Sequence, residues 1–99
     1  MYAVEFLPSA ARQLAKLDRS VQRRIARALD KLAAEPRGAH STKLRGADDV
    51  WRVRVGDYRV LYQVHHDRLL ILIVAVGHRA NIYRAIGRRE HGHGIRLAS

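Results

Sequence analysis

Residues 50–62 read VWRVRVGDYRVLY. Apolar and polar residues alternate on both sides of Gly56-Asp57, and this period of two is typical of strands that have one buried face. A two-residue connection with glycine first predicts a hairpin turn of type II′. The stretch therefore predicts an antiparallel β-hairpin, whose register decides which side chains share a face.

The register follows if Gly56-Asp57 is the whole loop. Val55 then lies opposite Tyr58, and Arg54 lies opposite Arg59. Directly opposed residues project from the same face of a sheet. One face, predicted to be the core face, carries Trp51, Val53, Val55, Tyr58, Val60 and Tyr62. The opposite face, called the arginine face below, carries Arg52, Arg54 and Arg59.

The arginine face sets like charges against each other, since Arg54 is predicted to lie opposite Arg59. Such a pair destabilises a sheet by about 0.2–1 kcal/mol, so a bound anion is the natural explanation. Guanidinium groups suit phosphate because their planar fork binds two oxygens and stays charged at physiological pH. The chain carries 19 Lys and Arg residues against 9 Asp and Glu residues, a net charge of +10. This excess predicts a polyanionic partner, and nucleic acid is favoured over a membrane because no helix combines a bulky apolar face with a basic one.

The 99 residues suit one domain, which we place at 1–86, followed by a flexible tail at 87–99. The predicted elements are a strand at 2–6, a helix from the N-cap Ser9 to about 17, a second helix from about 18–20 to 35, and strands at about 50–55, 58–65 and 69–76. The intervening segment 37–49 is predicted to be a loop. This order predicts an α+β fold in which a helix hairpin covers one face of a small, mainly antiparallel sheet.

The composition also excludes several classes. The chain has no cysteine, so disulfides, thiolate metal sites and cysteine nucleophiles are excluded, and a reducing cytoplasm is expected. No signal peptide and no run of membrane-spanning length is expected. The motif HGH at 91–93 is a weak zinc signal in the predicted tail. We therefore expect no metal, no cofactor and no membrane partner.

The last predicted strand extends the candidate site. If His66-Asp67 is also a two-residue loop, Arg59 lies opposite Val74. The chain leaving this strand then passes the Gly56-Asp57 end of the hairpin. We expect His78 and Arg79 to emerge there, near Arg54 and Arg59.

Further candidates lie on either side of these strands. Tyr83 follows Arg79 by four residues, so the two share one side if the segment is helical. Lys43 and Arg45 come just before the first hairpin strand and are expected at the rim of the arginine face. Arginines, one histidine and one tyrosine form a patch with no carboxylate pair, so the pattern does not indicate a catalytic metal.

Such a patch can hold a nucleic-acid backbone, and it can also carry out chemistry on RNA. RNA supplies its own nucleophile, the 2′-hydroxyl. An enzyme has to orient this hydroxyl, accept its proton, neutralise the phosphorane and protonate the leaving 5′-oxygen. Arginines can neutralise charge, and a tyrosine or a histidine can move protons. Tyr83 can also stack on a base.

Three motifs carry a family resemblance: KLRG at 43–46, YRVLYQV at 58–64 and VGHRANIYR at 76–84. Together with the element order over about 2–84, they resemble the RelE branch of the RelE/ParE superfamily, the toxins of type II toxin–antitoxin pairs. The resemblance implies a metal-independent endoribonuclease that cleaves mRNA in the ribosomal A site and so inhibits translation. Its products would be a 2′,3′-cyclic phosphate and a 5′-hydroxyl.

The resemblance also implies roles for the catalytic candidates. Arg59 would stabilise the transition-state phosphate, Arg79 would assist the leaving group or hold the phosphate, and Tyr83 would stack on or activate the nucleotide. Arg52 and Arg54 stand where the best-studied type of member has two lysines that contribute to catalysis.

Two further points follow from the resemblance. Lys43 and Arg45 would contact RNA backbone, as would Arg52 and Arg54. Arginine cannot serve as a general base, so the proton acceptor is expected to be Tyr83 or His78.

The resemblance implies partners as well. A RelB-like antitoxin encoded by a neighbouring gene would hold the toxin inactive, and the pair would bind its own promoter DNA. Two alternatives remain open: a ParE-like toxin that poisons DNA gyrase by binding, without nuclease activity, and a nucleic-acid-binding module without activity. Because RelE-like and ParE-like toxins share a fold, the fold cannot separate them.

Overall fold

A computed structural model describes residues 1–36 and 50–82, and the backbone of 41–43. The elements are β1 (Ala3–Phe6), α1 (Pro8–Ala15), α2 (Arg19–Ala34), β2 (Ser41–Lys43), β3 (Val50–Val55), β4 (Tyr58–His65) and β5 (Leu70–His78). The strands form one sheet in the order β1-β5-β4-β3-β2, in which β1 runs parallel to β5 and the other neighbours are antiparallel. The predicted α+β class, with a helix hairpin and a three-stranded meander, is confirmed.

Two predicted details were wrong. The first helix begins at Pro8 with Leu7 as its N-cap, because the fixed φ and missing N–H of proline suit the first helical position. The predicted loop at 37–49 contains the short strand β2, whose Ser41, Thr42 and Lys43 pair with β3. Three residues beside a glycine-containing stretch are too few to show the strand period.

The helix pair covers the predicted core face of the sheet. Ile25, Leu29 and Leu32 of α2 recur at helical spacing and are buried against the sheet. From the sheet, the buried partners are Val53, Val55, Val60, Tyr62, Ile71, Ile73 and Val76. Trp51 packs against this cluster, as its predicted position on the core face requires. No helix in the described part of the chain is both long and apolar enough to cross a membrane.

The hairpin turn has the predicted form. Gly56 adopts a φ of +61°. Among the described residues, the only other one with a positive φ is Leu69, so Asp57 has a negative φ. A positive φ at the first central position alone is the pattern of a type II′ turn. The β3–β4 register is the predicted one, with Val55 opposite Tyr58 and Arg54 opposite Arg59.

The predicted β4–β5 register was wrong, because Arg59 lies opposite Gly77 and not Val74. The connection between the strands occupies residues 66–69, which is two residues longer than predicted. A register shift between Leu61 and Tyr62 adds one more residue on β5. Such a β-bulge cannot be counted from an alternating pattern, since the pattern continues on both sides of it.

One side chain of α1 continues the hydrogen bonding along the outer edge of β5. The strand β1 pairs with it only as far as Ile73, whose carbonyl accepts from the backbone N–H of Leu7 at 2.9 Å. Beyond that point, the Gln13 side chain on α1 accepts a hydrogen bond from the backbone N–H of Val76 at 2.8 Å. This contact ties α1 to the half of β5 that leads to the candidate site.

Candidate active site

The open end of β3, β4 and β5 brings three segments together. Tyr58 lies opposite His78, and the backbone N–H of Arg79 donates to the carbonyl of Asp57 at 2.8 Å. The chain leaving β5 therefore passes beside the hairpin turn. His78 and Arg79 emerge at the predicted end of the sheet, although the register that brings them there differs from the predicted one.

Arg59 is fixed beneath this turn. Its side chain is buried, with 6% of the residue exposed. Its Nη1 donates to the carbonyl oxygens of Gly56 and Tyr58, both at 3.1 Å. A buried cation held by backbone acceptors is pre-oriented, so it does not have to be ordered when an anion arrives.

The other two residues of the arginine face differ in exposure. Arg52 is half-buried and lies opposite Leu61, whereas Arg54 is exposed at the end of β3 and lies opposite Arg59. The predicted like-charge pair is thus present, with one guanidinium buried and one open to solvent. Next to these arginines the same face carries a buried apolar cluster of Val50, Leu61, Val74, Ala75 and Ile82.

Arg79 stands at the surface beside the turn. Its Nε lies 4.0 Å from Oδ1 of Asp57, and the two side chains are 62% and 70% exposed. An ion pair this open to solvent contributes about 0–1 kcal/mol. An incoming phosphate can therefore displace the carboxylate at low cost, which leaves the guanidinium available to a ligand.

His78 does not share a face with the arginines. Its ring stands edge-on to the ring of Tyr58, with centroids 5.6 Å apart and an interplanar angle of 87°. Tyr58 and His78 are opposed and alternate with Arg59 and Gly77, so they project toward the helix side. The backbone N–H of Ala80 donates to Nδ1 of His78 at 3.2 Å, which engages one of the two ring nitrogens. The single patch expected from the sequence is therefore divided between two faces.

Three predicted site residues lie wholly or partly outside the described residues. Tyr83 and Arg45 are outside them, as are His91 and His93 of the HGH motif. For Lys43 only the backbone is described, and it pairs with Trp51 at the edge of the sheet. Within the described ranges, no group of three His, Cys, Asp or Glu side chains is placed to hold a metal ion.

Sequence reasoning did not assign Arg24 to the site. Its guanidinium packs on the turn from the helix side: a Cβ placed on Gly56 would lie 2.5 Å from Nη2 of Arg24. The positive φ is what requires glycine here, because the flexible end of the exposed Arg24 side chain can move aside. The sequence leaves two interpretations open for Arg23, Arg24, Arg27 and Lys31, a solvated helix face or a docking surface for a partner or RNA backbone. The contact of Arg24 with the turn could not be predicted, because it depends on how α2 lies across the sheet.

Comparison with known proteins decides the family. Residues 4–83 match the family described as the ParE toxin of type II toxin–antitoxin system, parDE. A RelE-like toxin protein of Escherichia coli is 35% identical over 92 residues, which cover 89% of this chain and 96% of the relative. The chain belongs to the RelE/ParE superfamily of type II toxins. The mRNA interferase toxin RelE of Escherichia coli is 28% identical over 80 residues, covering 79% of this chain and 83% of the relative.

Solved structures of RelE toxins have the same fold as this chain. The toxin in the crystal structure of the intact Escherichia coli RelBE toxin–antitoxin complex superposes with a TM-score of 0.71 at 27% identity. The match covers 79% of this chain and 96% of that one. The RelE-like fold predicted from the motifs, a helix hairpin on a small sheet, is confirmed.

Proposed function

We propose that this chain is the toxin of a type II toxin–antitoxin pair and cleaves mRNA as an endoribonuclease. Arg59 carries the proposal, because a buried guanidinium held by two backbone carbonyls at the end of a cationic sheet face suits a phosphate undergoing reaction. The similar proteins support it, since one is named an mRNA interferase toxin and another was solved with its antitoxin.

The reaction balances without a co-reactant. The 2′-oxygen of the RNA attacks the neighbouring phosphorus, and the bond from phosphorus to the 5′-oxygen breaks. One proton leaves the 2′-hydroxyl and one is delivered to the 5′-oxygen, giving a 2′,3′-cyclic phosphate and a 5′-hydroxyl. Arg52, Arg54 and Arg59 neutralise charge on the phosphorane, and Arg79 stabilises the departing oxygen.

The proton acceptor has to come from outside the arginine face, because arginine stays protonated. His78 projects toward the helix side and has Nδ1 engaged by Ala80, so in this arrangement it is the weaker candidate. We assign proton transfer from the 2′-hydroxyl to Tyr83, which can also stack on the nucleotide.

The cellular setting follows from the same proposal. The toxin acts in the cytoplasm on mRNA in the ribosomal A site, where Lys43 and Arg45 contact RNA backbone. A RelB-like antitoxin encoded next door holds it inactive, and the complex binds its promoter DNA. Stress that removes the antitoxin would release the toxin and halt growth by inhibiting translation.

Primer extension on mRNA in a translating extract tests the proposal. The wild-type chain should cut at codon boundaries, Arg59→Ala should abolish cutting, and Arg79→Ala should lower the rate by about 10²–10³-fold, the usual effect of losing one transition-state donor. Arg68→Ala is the matched control. Arg68 is also exposed and paired with an aspartate, Asp67 at 3.8 Å, but it lies at the other end of β4 and β5.

Thermal unfolding of the two variants shows whether a loss of cleavage reflects misfolding. Arg79 is exposed, so its replacement should leave thermal unfolding unchanged even if the replacement of buried Arg59 does not. Equal cutting by wild type and both variants contradicts the assignment of these residues.

One alternative has an observation in its favour, since the matching family is named for ParE. A ParE-like toxin would poison DNA gyrase by binding. Intact mRNA together with accumulating gyrase–DNA breaks would establish that activity and reject the nuclease.

A further inference from the structure

A second concave surface lies on the helix side of the hairpin. A groove of about 470 Å³ runs between α2 and the exposed end of β3. Its floor is aliphatic, formed by Ala28 and Leu32 of α2 with Val53 and Val55 of β3. Grooves of about 300–1,000 Å³ with an apolar floor and a few polar groups are typical of small-ligand sites.

The rim of this groove is cationic. Arg24, Arg27 and Lys31 line it from α2. Arg54 borders it at the edge of β3, and its side chain projects toward the arginine face. Glu35 is the one acidic residue in the lining. It lies eleven residues after Arg24, about 16 Å along a helix. The end nearest the hairpin turn is therefore the most positive.

The groove and the arginine face are continuous around the end of β3. Arg54 lies opposite Arg59 on the arginine face and also borders the groove. Gly56 links them again, because its carbonyl accepts from Arg59 and its Cα is covered by the guanidinium of Arg24. An RNA strand whose phosphate is bound at Arg59 can pass the edge of β3 and enter the groove while remaining on cationic surface.

We propose that the groove binds the part of the substrate RNA strand that adjoins the cleaved phosphate. Arg24, Arg27 and Lys31 bind its phosphates, and the aliphatic floor receives the face of a base. This inference rests on the proposed function and adds a subsite to it. The floor offers no polar side chain to read a base edge, so the subsite discriminates little between bases.

Charge and continuity favour RNA over a peptide. Three cationic side chains of α2 line the groove against one carboxylate, and the edge of β3 joins the groove to the arginine face, where the proposed function places the cleaved phosphate.

Fluorescence anisotropy with a labelled, fully 2′-O-methylated RNA 12-mer tests the subsite. This RNA lacks the attacking hydroxyl, so binding is measured apart from cleavage. Arg27→Gln with Lys31→Gln removes two charges from the groove. The control pair, Arg12→Gln with Lys16→Gln, removes the same charge from exposed positions on α1 and at its C-cap, and α1 packs on β5 and not on β3.

For single-stranded nucleic acid, each phosphate contact contributes about −0.7 to the slope of log K against log salt. The groove variant lacks two contacts, so its slope should be shallower than that of wild type by about 1.4. Raising salt from about 50 to about 200 mM should then weaken wild type about sevenfold more than the groove variant. A 2′-O-methylated trimer that fits the arginine face alone should bind both equally.

Equal losses in the groove and control variants would overturn the subsite, because only the total charge would then matter. Unchanged RNA binding by the groove variant combined with faster release of the antitoxin would also overturn it, and would make the groove a peptide site. The two proposals fail separately. Wild type that binds the 12-mer but leaves translated mRNA intact contradicts the nuclease alone, whereas normal cleavage with unchanged binding by the groove variant contradicts the subsite alone.

Discussion

Replacing Arg54 by threonine should make the protein more stable and less active. Arg54 lies directly opposite Arg59, and opposed like charges cost about 0.2–1 kcal/mol. For a domain of this size, 1 kcal/mol shifts the melting temperature by about 4–8 °C. Arg54→Thr should therefore raise it by about 1–8 °C in low salt, as followed by circular dichroism. Cleavage of mRNA should fall in the same variant, because the phosphate loses one cation.

Two comparisons isolate the repulsion between Arg54 and Arg59: low against high salt concentration, and Arg54→Thr against Arg54→Lys. At about 1 M salt the Debye length is about 3 Å, so the gain from Arg54→Thr should shrink. Any part that survives reflects the strand preference of threonine. Arg54→Lys keeps the charge and should show no gain at either salt concentration. A threonine variant that is no more stable than wild type, or whose gain is the same at both salt concentrations, would refute the repulsion.

Two other substitutions should act on the strand that leads to the site. Gly77→Ala places a Cβ 3.2 Å from Cδ1 of Ile82, which is buried and has little room to move. The contact has to open by a few tenths of an ångström, so the urea midpoint should fall, at a cost of about 1 kcal/mol, the low end for overpacking. A midpoint at or above wild type would contradict this. Gln13→Leu removes the acceptor from the Val76 N–H and should cost about 1–3 kcal/mol, with faster hydrogen exchange at that amide. Gln13→Glu keeps an acceptor there and should exchange more slowly than Gln13→Leu; equal exchange in both would show that the hydrogen bond is not what protects Val76.

The sequence predicted the hairpin correctly because one short turn determines its register. Gly56-Asp57 leaves no freedom in the pairing, so the opposition of Arg54 and Arg59 follows from counting. The core faces of α2 and β3 followed from period alone. These features depend on residues close together in the chain, and local pattern is sufficient for them.

The sequence could not predict features that depend on distant contacts. The bulge at Leu61 and Tyr62 and the longer turn at 66–69 moved the register of β5 by three residues. A shift of odd size exchanges the two faces of a strand, which is why His78 packs on Tyr58 and away from the arginines. The contact of Arg24 with the turn likewise depends on the angle at which α2 crosses the sheet.

The sheet order determines when the protein can fold during its synthesis. The strand β5 is the last described strand in the chain, yet it lies between β1 and β4, and Ala3 has to wait for Leu70 to pair. Pairing across so much sequence is slow, and a ribosome adds about 5–20 residues each second. Gly77 and Arg79 reach the hairpin turn only with this strand. The arrangement that brings Arg79 beside the hairpin turn therefore cannot form until β5 has been translated.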